Sequence, residues 1–325
     1  MYRRYADRQP RLKSNFLGLL VLVALLATSV GTSAAQQDSQ PAASDLHTIV
    51  ASDGVTPEAL PTSESRRQRW GVSTPFAGTD ILPLLPAADL DAANEVAVAP
   101  VLPGDQVSPE SVIGPDGRYR ITATTSYPYR AIAFITSNIG SCSGWLIGPD
   151  TVATAGHCIH NGNWASNVRV YPGRSSSSTP YGSCGATRLY SVTGWTRDRN
   201  RDYDYGAIKL NCDVGDTTGW FGFRWQSSSM NGQSTYLAGY PGDKSYATMW
   251  RHDDQVRETR SRRLYYANDT YGGQSGSPVW NGRSNCSPCG IAIHAYGRDS
   301  TGYNGGTRIT EAVFNNLLNW KNAPK

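Results

Sequence analysis

Short apolar or alternating runs recur along the C-terminal two thirds of the chain, and clusters of Gly, Pro, Asn and Ser separate them. This pattern predicts many short β-strands joined by turns. The predicted strands cover residues 131–136, 144–147, 152–155, 168–171, 189–193, 207–210, 235–238, 264–266, 278–280 and 291–295. Such spacing is typical of an all-β sandwich or barrel.

One helix is predicted, at the C-terminal end, over about residues 310–320. Thr310 is a suitable N-cap, and the carboxylate of Glu311 lies in the first turn, where it is favourable. Apolar residues then recur at helical spacing and form one face. They are Val313, Phe314, Leu317 and Leu318.

Charge divides the chain into three segments. Residues 1–35 have a formal net charge of +4, residues 36–110 have −8 and residues 111–325 have +8. The whole chain is 39% hydrophobic and 10% aromatic, which allows a sizeable core and excludes a fibrous or fully disordered protein.

The first segment has the features of a secretory signal peptide. Basic residues precede an apolar run at 16–27, and small residues follow at 33–35, so we expect cleavage after Ala35. The run is shorter than the ~20 residues that span a bilayer, which disfavours a membrane anchor. The mature protein is therefore expected to be secreted and free of the membrane.

Residues 36–110 are predicted to be a propeptide. The segment is rich in Ala, Pro, Ser and Asp, has no Cys and shows weak periodicity. Its negative charge suggests docking on the basic domain through opposite charge. The alternative is a disordered linker.

All six cysteines lie in residues 111–325, and an even number behind a signal peptide predicts three disulfides. The expected pairs are Cys142–Cys158, then Cys286–Cys289 and Cys184–Cys212. The Cys286–Cys289 pair forms a C-x-x-C motif, but the chain has no second C-x-x-C and no His pair near it. We therefore expect no metal and no cofactor.

Three stretches supply the groups that amide hydrolysis by a serine needs: a nucleophile, a base, an orienting acid and oxyanion donors. His157 follows the strand predicted at 152–155 and is the candidate base. Asp204 stands at the mouth of the strand at 207–210 and is the candidate acid. Ser275 is flanked by glycines that allow the backbone to turn, so it is the candidate nucleophile.

Rival residues fit these roles less well. Asp198 and Asp202 lie close to Asp204 in sequence but lack a following apolar strand. Three other histidines have polar neighbours and are predicted to lie on the surface: His47, His160 and His252.

The chain order His, Asp, Ser, with Cys158 beside His157, resembles the trypsin/chymotrypsin superfamily and, more narrowly, the bacterial glutamyl endopeptidases. The stretches at 111–114, 171–173 and 239–244 are also similar to that family. The resemblance covers residues 111–325 and does not cover the propeptide.

The resemblance implies two packed six-stranded antiparallel β-barrels, over about residues 111–212 and 213–309, with the active site in the cleft between them. It implies that His157, Asp204 and Ser275 form a catalytic triad. The N–H groups of Gly273 and Ser275 would form the oxyanion hole.

The same resemblance implies a pocket for a substrate Glu. Thr270, His294 and the α-amino group of a mature chain starting at Ser111 would bind the substrate carboxylate, which needs donors and positive charge. Asp269 keeps a trypsin-like alternative open, in which the enzyme cuts after Arg or Lys.

The amino-acid usage of residues 111–325 favours Glu specificity. This segment has two Glu but 18 Arg and 4 Lys, so self-cleavage after Glu would be rare. Glu110 immediately precedes Ser111, at the boundary where the charge changes sign, which predicts zymogen cleavage there.

The expected partners are protein and peptide substrates and the chain's own propeptide. We expect a monomer without nucleic-acid binding, because the Arg residues are dispersed and no nucleic-acid motif is present. A non-catalytic pseudo-protease is disfavoured because all three triad candidates are present.

Overall fold

The computed structural model describes residues 45–57, 70–79, 110–283 and 285–325. The predicted signal peptide lies outside these residues, as does most of the predicted propeptide. The strands are β1 (Ile49–Ala51), β2 (Trp70–Ser73), β3 (Glu110–Ser111), β4 (Tyr119–Arg120), β5 (Ile132–Ser137), β6 (Gly140–Leu146), β7 (Thr151–Thr154), β8 (His160–Asn161), β9 (Asn163–Trp164), β10 (Arg169–Pro172), β11 (Cys184–Val192), β12 (Gly206–Leu210), β13 (Gly222–Gln226), β14 (Ser234–Gly239), β15 (Trp250–Thr259), β16 (Arg263–Tyr266), β17 (Thr270–Tyr271), β18 (Pro278–Arg283), β19 (Cys286–Tyr296) and β20 (Asn304–Arg308).

Six strands form a closed antiparallel barrel in the first half of the domain. Their order is β11-β10-β5-β6-β7-β12, and β11 also pairs with β12, which closes the sheet. Its strands carry buried apolar residues such as Ile135, Val152 and Ile208, all at most 1% exposed.

The second barrel has the order β18-β14-β15-β16-β20-β19 and closes through the β18–β19 pairing. Outside this closed set, β13 pairs in parallel with β19, and β4 pairs with β15. The expectation of two six-stranded antiparallel barrels is therefore confirmed.

Aromatic packing joins the barrels. The ring of Trp145, on β6, lies 5.5 Å from that of Phe221, and Phe221 lies 5.5 Å from Trp280, on β18. Both contacts are edge-to-face, an arrangement that aromatic rings favour. These buried rings therefore connect strands of the two barrels.

The C-terminal helix is also confirmed. Among the described residues the helices are α1 (Thr193–Thr196), α2 (Gly215–Thr218) and α3 (Glu311–Asn322). The Thr310 side chain caps α3 by accepting from the Val313 N–H, and Trp320 is fully buried against the first barrel. The single-turn helices α1 and α2 are too short to give a helical sequence period. Within the described ranges, no helix is long and apolar enough to cross a membrane.

Three disulfides are present, and they are the pairs Cys142–Cys158, Cys184–Cys212 and Cys286–Cys289. Their Cα atoms lie 6.0, 6.0 and 5.1 Å apart. The first ties β6 to the turn after β7, and this turn carries His157.

Two strands come from the predicted propeptide. β1 pairs antiparallel with the end of β11, and β2 pairs antiparallel with β13. Each barrel's sheet is thereby extended by a strand that precedes residue 111 in the chain.

Candidate active site

His157 lies in a 3₁₀ turn, Gly156–Cys158, directly after β7. Its side chain is almost fully buried, and the Cys142–Cys158 disulfide restrains the turn. Gly156 is needed for close packing, because a Cβ there would lie 2.7 Å from the Trp195 ring and 3.0 Å from Asp204 Oδ1. The local sequence therefore fixes the imidazole against the acid.

Asp204 is fully buried just before β12, and three donors converge on its carboxylate. His157 Nδ1 donates to Oδ2 at 2.7 Å, and the His157 backbone N–H donates to Oδ1 at 2.8 Å. The Tyr296 hydroxyl donates to Oδ2 at 2.5 Å. Burial opposes the negative charge, but the electrostatic interaction with His157 and these hydrogen bonds hold the pKa of Asp204 below its ordinary value.

The rival acids are engaged elsewhere. Asp198 forms an ion pair with Arg197 at 2.6 Å, and Asp202 forms one with Arg263 at 2.6 Å. Both pairs are partly exposed. Of the three candidate acids, the structure brings only Asp204 to the imidazole.

Ser275 is half-buried in the turn between β17 and β18, which brings it beside the His157 turn. Its carbonyl accepts from the Ser143 N–H at 2.8 Å and lies 3.6 Å from Cys158 Sγ. Gly276 has φ +85°, and a Cβ there would overlap the Ser143 carbonyl oxygen. A glycine is therefore required for this close approach of the two barrels.

Three backbone donors in this turn have no acceptor among the described residues: the N–H groups of Gly272, Gly273 and Ser275. By contrast, the N–H of Gln274 donates to Tyr271, and that of Gly276 donates to His294. The Gly273 carbonyl is held by the buried Ser143 hydroxyl at 2.9 Å. The unpaired donors thus lie on a backbone that is fixed by its neighbours.

Thr270 and Ser111 face each other across the short β3–β17 pairing. Both residues are buried, at 1% and 3% exposure. Within the described ranges, Thr270 Oγ1 has no hydrogen-bond partner. Asn304 Nδ2 donates to the Ser111 carbonyl at 2.6 Å, which fixes β3 against β20.

His294 is buried on β19, and its Nδ1 lies 2.8 Å from the Tyr266 hydroxyl. Burial, reinforced by the electrostatic interaction with the His157 imidazole, lowers the pKa of His294 to about 3. Burial also raises the pKa of Tyr266 well above its ordinary value. The imidazole is therefore neutral, and the phenol keeps its proton at neutral pH.

Asp269 does not offer its carboxylate to a substrate cation in this structure. It is 1% exposed, and its oxygens accept from the backbone N–H groups of Ile113 at 2.7 Å and Gly117 at 2.8 Å. His252 Nδ1 accepts from the Asp269 N–H at 2.6 Å, so the 3.4 Å separation of that nitrogen from the carboxylate is not a hydrogen bond. Asp269 instead holds the chain that follows Ser111.

The predicted surface position of His160 is wrong. His160 is 7% exposed and packs edge-to-face on Trp164, because the β8–β9 ribbon folds over it. Burial lowers its pKa to about 4. His47 and His252 are half-buried.

Sequence reasoning missed the groups that support the site from other strands. Tyr296 contacts Asp204, Tyr266 contacts His294, and Ser143 holds the turn before Ser275. The one available signal was the spacing of Tyr296, two residues after His294 and directly after the strand predicted at 291–295.

Cys142, His157 and Cys158 form a cluster of metal-ligating residue types in the part of the chain that the structure describes. Both sulfurs belong to one disulfide, so neither is a thiolate, and His157 Nδ1 is bound to Asp204. Metal ions bind the thiolate form of cysteine. The cluster therefore does not fit a metal ion.

Known proteins with similar sequences are peptidases. Residues 142–286 match the model of the trypsin-like peptidase domain. Over 222 residues the chain is 52% identical to a glutamyl endopeptidase from Bacillus licheniformis, covering 66% of this chain and 70% of the relative. Over 317 residues it is 39% identical to a Bacillus subtilis protein named extracellular metalloprotease, covering 94% of this chain and 96% of the relative.

Solved structures give the same result. A Glu endopeptidase in complex with MPD aligns with a TM-score of 0.61 at 31% identity, over 65% of this chain and all of that chain. The protease Anisep from Arthrobacter nicotinovorans shares the fold, with a TM-score of 0.50 at 23% identity over 58% of this chain and 95% of that chain. The chain therefore belongs to the glutamyl endopeptidase family of trypsin-like serine peptidases.

Proposed function

We propose that this chain is a secreted serine endopeptidase that cuts after Glu, and more slowly after Asp, and that is made as a zymogen. The observation that carries the specificity is the buried, unpaired hydroxyl of Thr270 beside Ser111. A buried polar group without a partner is costly unless a ligand pairs with it.

Catalysis follows from the hydrogen bonds of His157. Because Nδ1 donates to Asp204, Nε2 is left to accept the Ser275 hydroxyl proton as this oxygen attacks the scissile carbonyl. The protonated imidazole, stabilised by Asp204, then gives the proton to the leaving amine. The unpaired N–H groups of Gly273 and Ser275 donate to the developing oxyanion, and each such donor is worth about 10²–10³ in rate.

The pocket chemistry suits a carboxylate. When Tyr266 donates to Nδ1 of the neutral His294, the imidazole proton lies on Nε2, which can donate to a substrate carboxylate in place of the Gly305 carbonyl. Thr270 Oγ1 adds a second donor, and the α-ammonium of a mature chain at Ser111 adds charge. An Arg or Lys side chain would find no free carboxylate, since Asp269 is committed to Ile113 and Gly117. A substrate Asp reaches one methylene less far.

Maturation is proposed to occur between residues 36–110 and 111–325, after signal-peptide removal at 1–35. In the uncleaved chain, the residue at 111 contributes a neutral amide and not an ammonium group. Ser111 is also buried and paired with Thr270, so the β3–β17 pairing must open before a protease can cut there.

A peptide-library digest by the mature protein, analysed by mass spectrometry, tests this function. We expect cuts after Glu to dominate, and N-terminal sequencing of the secreted enzyme to begin at Ser111. Matched digests with the Ser275→Ala protein give the background. A digest dominated by cuts after Arg and Lys, or a start far from Ser111, would overturn the proposal.

The name of the Bacillus subtilis relative raises metal-dependent proteolysis as a second candidate function. Because the Cys142–His157–Cys158 cluster does not fit a metal, we assign no step to a metal ion here. Inhibition by a serine-directed phosphonate, with an adduct on Ser275, distinguishes the two chemistries.

A further inference from the structure

Arg118 is a buried cation to which the function proposed above assigns no role. The residue is 6% exposed, and its guanidinium lies between two carboxylates. Nη1 and Nη2 donate to the two oxygens of Asp243 at 3.0 and 2.5 Å. Nε and Nη2 donate to the two oxygens of Asp116 at 2.9 Å each. Bidentate pairs of this kind fix the relative orientation of the two groups as well as their separation.

Asp243 belongs to the loop at 240–243, which follows β14 and packs on the turn before the nucleophile. The N–H of Gly242, directly before Asp243, donates to the Gly272 carbonyl at 2.7 Å. A Cβ on Gly273 would lie 3.2 Å from the Gly242 nitrogen, which is a tight contact. The position of this loop therefore decides where the backbone of the turn lies.

The two ends of the 240–243 loop are held in different ways. At the first end, the Tyr240 N–H donates to Ser143 Oγ at 2.9 Å, and the same hydroxyl donates to the Gly273 carbonyl at 2.9 Å. At the other end, the Asp243 carboxylate is the anchor. Lys244 Nζ lies 4.0 Å from this carboxylate, so Arg118 supplies the nearer cation.

The Gly272 carbonyl and the Gly273 N–H belong to one peptide unit. Because this unit is planar and its C=O and N–H point to opposite sides, a hydrogen bond that fixes the oxygen also fixes the direction of the N–H. The glycines at both sides lack a Cβ, so without that bond the peptide can rotate as a unit. A rotated peptide would present an acceptor to the substrate oxyanion in place of a donor.

The backbone around Arg118 is itself firmly held. The Asp269 carboxylate accepts from the Ile113 N–H at 2.7 Å and from the Gly117 N–H at 2.8 Å. The Arg118 N–H donates to Asp116 Oδ1 at 3.1 Å. The guanidinium therefore holds the 240–243 loop from a fixed position.

We propose that Arg118 is a positioning residue for the oxyanion hole. Through Asp243 it holds the 240–243 loop, and this loop holds the Gly272–Gly273 peptide with its N–H directed at the substrate carbonyl. The inference rests on the proposed function, which assigns the oxyanion to that N–H. The described hydrogen bonds of the Arg118 side chain reach neither the triad nor the proposed Glu pocket. Weakening this link should therefore slow the chemical step and leave Glu binding unchanged.

Asp243→Asn is the informative variant, because the amide keeps the shape of the side chain and removes its charge. Asp116→Asn is the matched control, since it makes the same change on the same guanidinium at a residue outside the loop. With the mature enzyme and a fluorogenic Glu peptide, we expect Asp243→Asn to lower kcat at least about tenfold, against about 10²–10³ for complete loss of an oxyanion donor. Its KM should stay within about twofold, and Asp116→Asn should keep kcat within about threefold.

A peptide aldehyde that ends in Glu distinguishes positioning from a loss of stability. Ser275 Oγ adds to the aldehyde carbon, its proton passes to His157, and the carbonyl oxygen becomes the oxyanion of the adduct. The inhibition constant should rise in Asp243→Asn by about the factor by which kcat falls. This constant does not depend on the fraction of enzyme that is folded, so partial unfolding alone would leave it unchanged.

Arg118→Lys is a second variant that keeps the charge but cannot form two bidentate pairs, and it should also lower kcat with little change in KM. Combined with Asp243→Asn it should cost little more than the larger single loss, because both changes break one link. Equal kcat losses in Asp243→Asn and Asp116→Asn, or an unchanged aldehyde inhibition constant, would overturn the positioning role. An unmodified enzyme that cut after Arg would overturn only the proposed specificity, and the same comparison with an Arg peptide and aldehyde would still test Arg118.

Discussion

Asp204, in the first barrel, and Thr270, in the second, are both almost inaccessible to solvent, yet only Asp204 has its polar atoms paired. Three donors bind the Asp204 carboxylate, whereas no partner in the described part of the chain binds Thr270 Oγ1. The two residues have the same burial and opposite hydrogen-bond satisfaction.

This difference extends to the neighbours of each residue. His157 is fixed by Asp204 and a disulfide-restrained turn, while the N–H groups of Gly273 and Ser275 have no acceptor in the described ranges. The residues that hold the His157 imidazole have their hydrogen bonds made within the protein, whereas the groups proposed to meet the substrate are unpaired. Thr270 Oγ1 and these two N–H groups are the ones to which the proposed function assigns the negative charge of the substrate.

The largest expected effect comes from the nucleophile. Ser275→Ala should lower kcat by about 10⁶, because the residues of a triad act as a unit. The fold should be unchanged, since the Ser275 contacts with the first barrel use its backbone carbonyl. Activity on a fluorogenic Glu peptide measures the loss, and near-normal turnover would contradict the assignment of Ser275.

Asp204→Asn tests the buried carboxylate that has its hydrogen bonds made within the protein. An amide at this position favours the wrong imidazole tautomer, so kcat should fall by about 10⁴ while the protein stays folded. Circular dichroism verifies the fold. Asp202→Asn, at a partly exposed ion pair with Arg263, is the matched control and should stay within about twofold of the unmodified enzyme. A larger loss of kcat in Asp202→Asn than in Asp204→Asn would refute the choice of Asp204.

The buried His294 predicts how stability depends on pH. Its pKa is lowered from 6.5 to about 3 in the folded protein, so the unfolded chain binds the proton more readily. The contribution is complete above pH 6.5 and is lost as pH falls toward 3, by about 1.4 kcal/mol per pH unit. Urea unfolding between pH 7 and 4 measures this slope. The unfolding free energy of His294→Gln should depend less steeply on pH. An equal slope in both proteins would contradict this role of His294.

The barrels could be predicted from the sequence only where strands show apolar runs. β15 was missed because its sequence is polar and most of its residues are half-buried, so it shows no alternation. β20 was missed for another reason. It contains two glycines and buried polar residues, and the side chains of Asn304 and Arg308 donate to partners distant in sequence, such as Ser111 and Gln226.

The triad candidates could be found because each lies at a strand end with a distinctive neighbour. The Tyr296 contact could not, because Tyr296 and Asp204 are separated by 92 residues and meet only when the barrels pack. The strands β1 and β2 were also missed by the sequence-based prediction. β1 has three residues, too few to show a period, and its stability depends on an edge supplied by β11.

Thr270→Val separates binding from stability in the second barrel. Valine has nearly the same shape, and the hydroxyl that it removes has no partner, so unfolding free energy should be unchanged or slightly higher. The kcat/KM for Glu peptides should nevertheless fall by about 10–100-fold, since a hydrogen bond to a charged carboxylate is lost. The ratio of Glu to Gln cleavage measures this directly. An unchanged ratio would show that Thr270 does not face the substrate.

Tyr296→Phe should give the smallest effect. It tests one of the three hydrogen bonds that the Asp204 carboxylate accepts. The variant removes one of three donors to Asp204 and leaves the two from His157, so kcat should fall by about tenfold or less. Without the phenol, more negative charge on Oδ2 faces the imidazolium. The acidic limb of the kcat/KM profile should therefore move to higher pH, a shift that loss of packing alone would not cause.

Tyr266→Phe removes a similar buried hydroxyl, but one that contacts His294, and it should leave that limb in place while altering the Glu preference. If both variants moved the limb equally, Tyr296 would have no special role in positioning the triad.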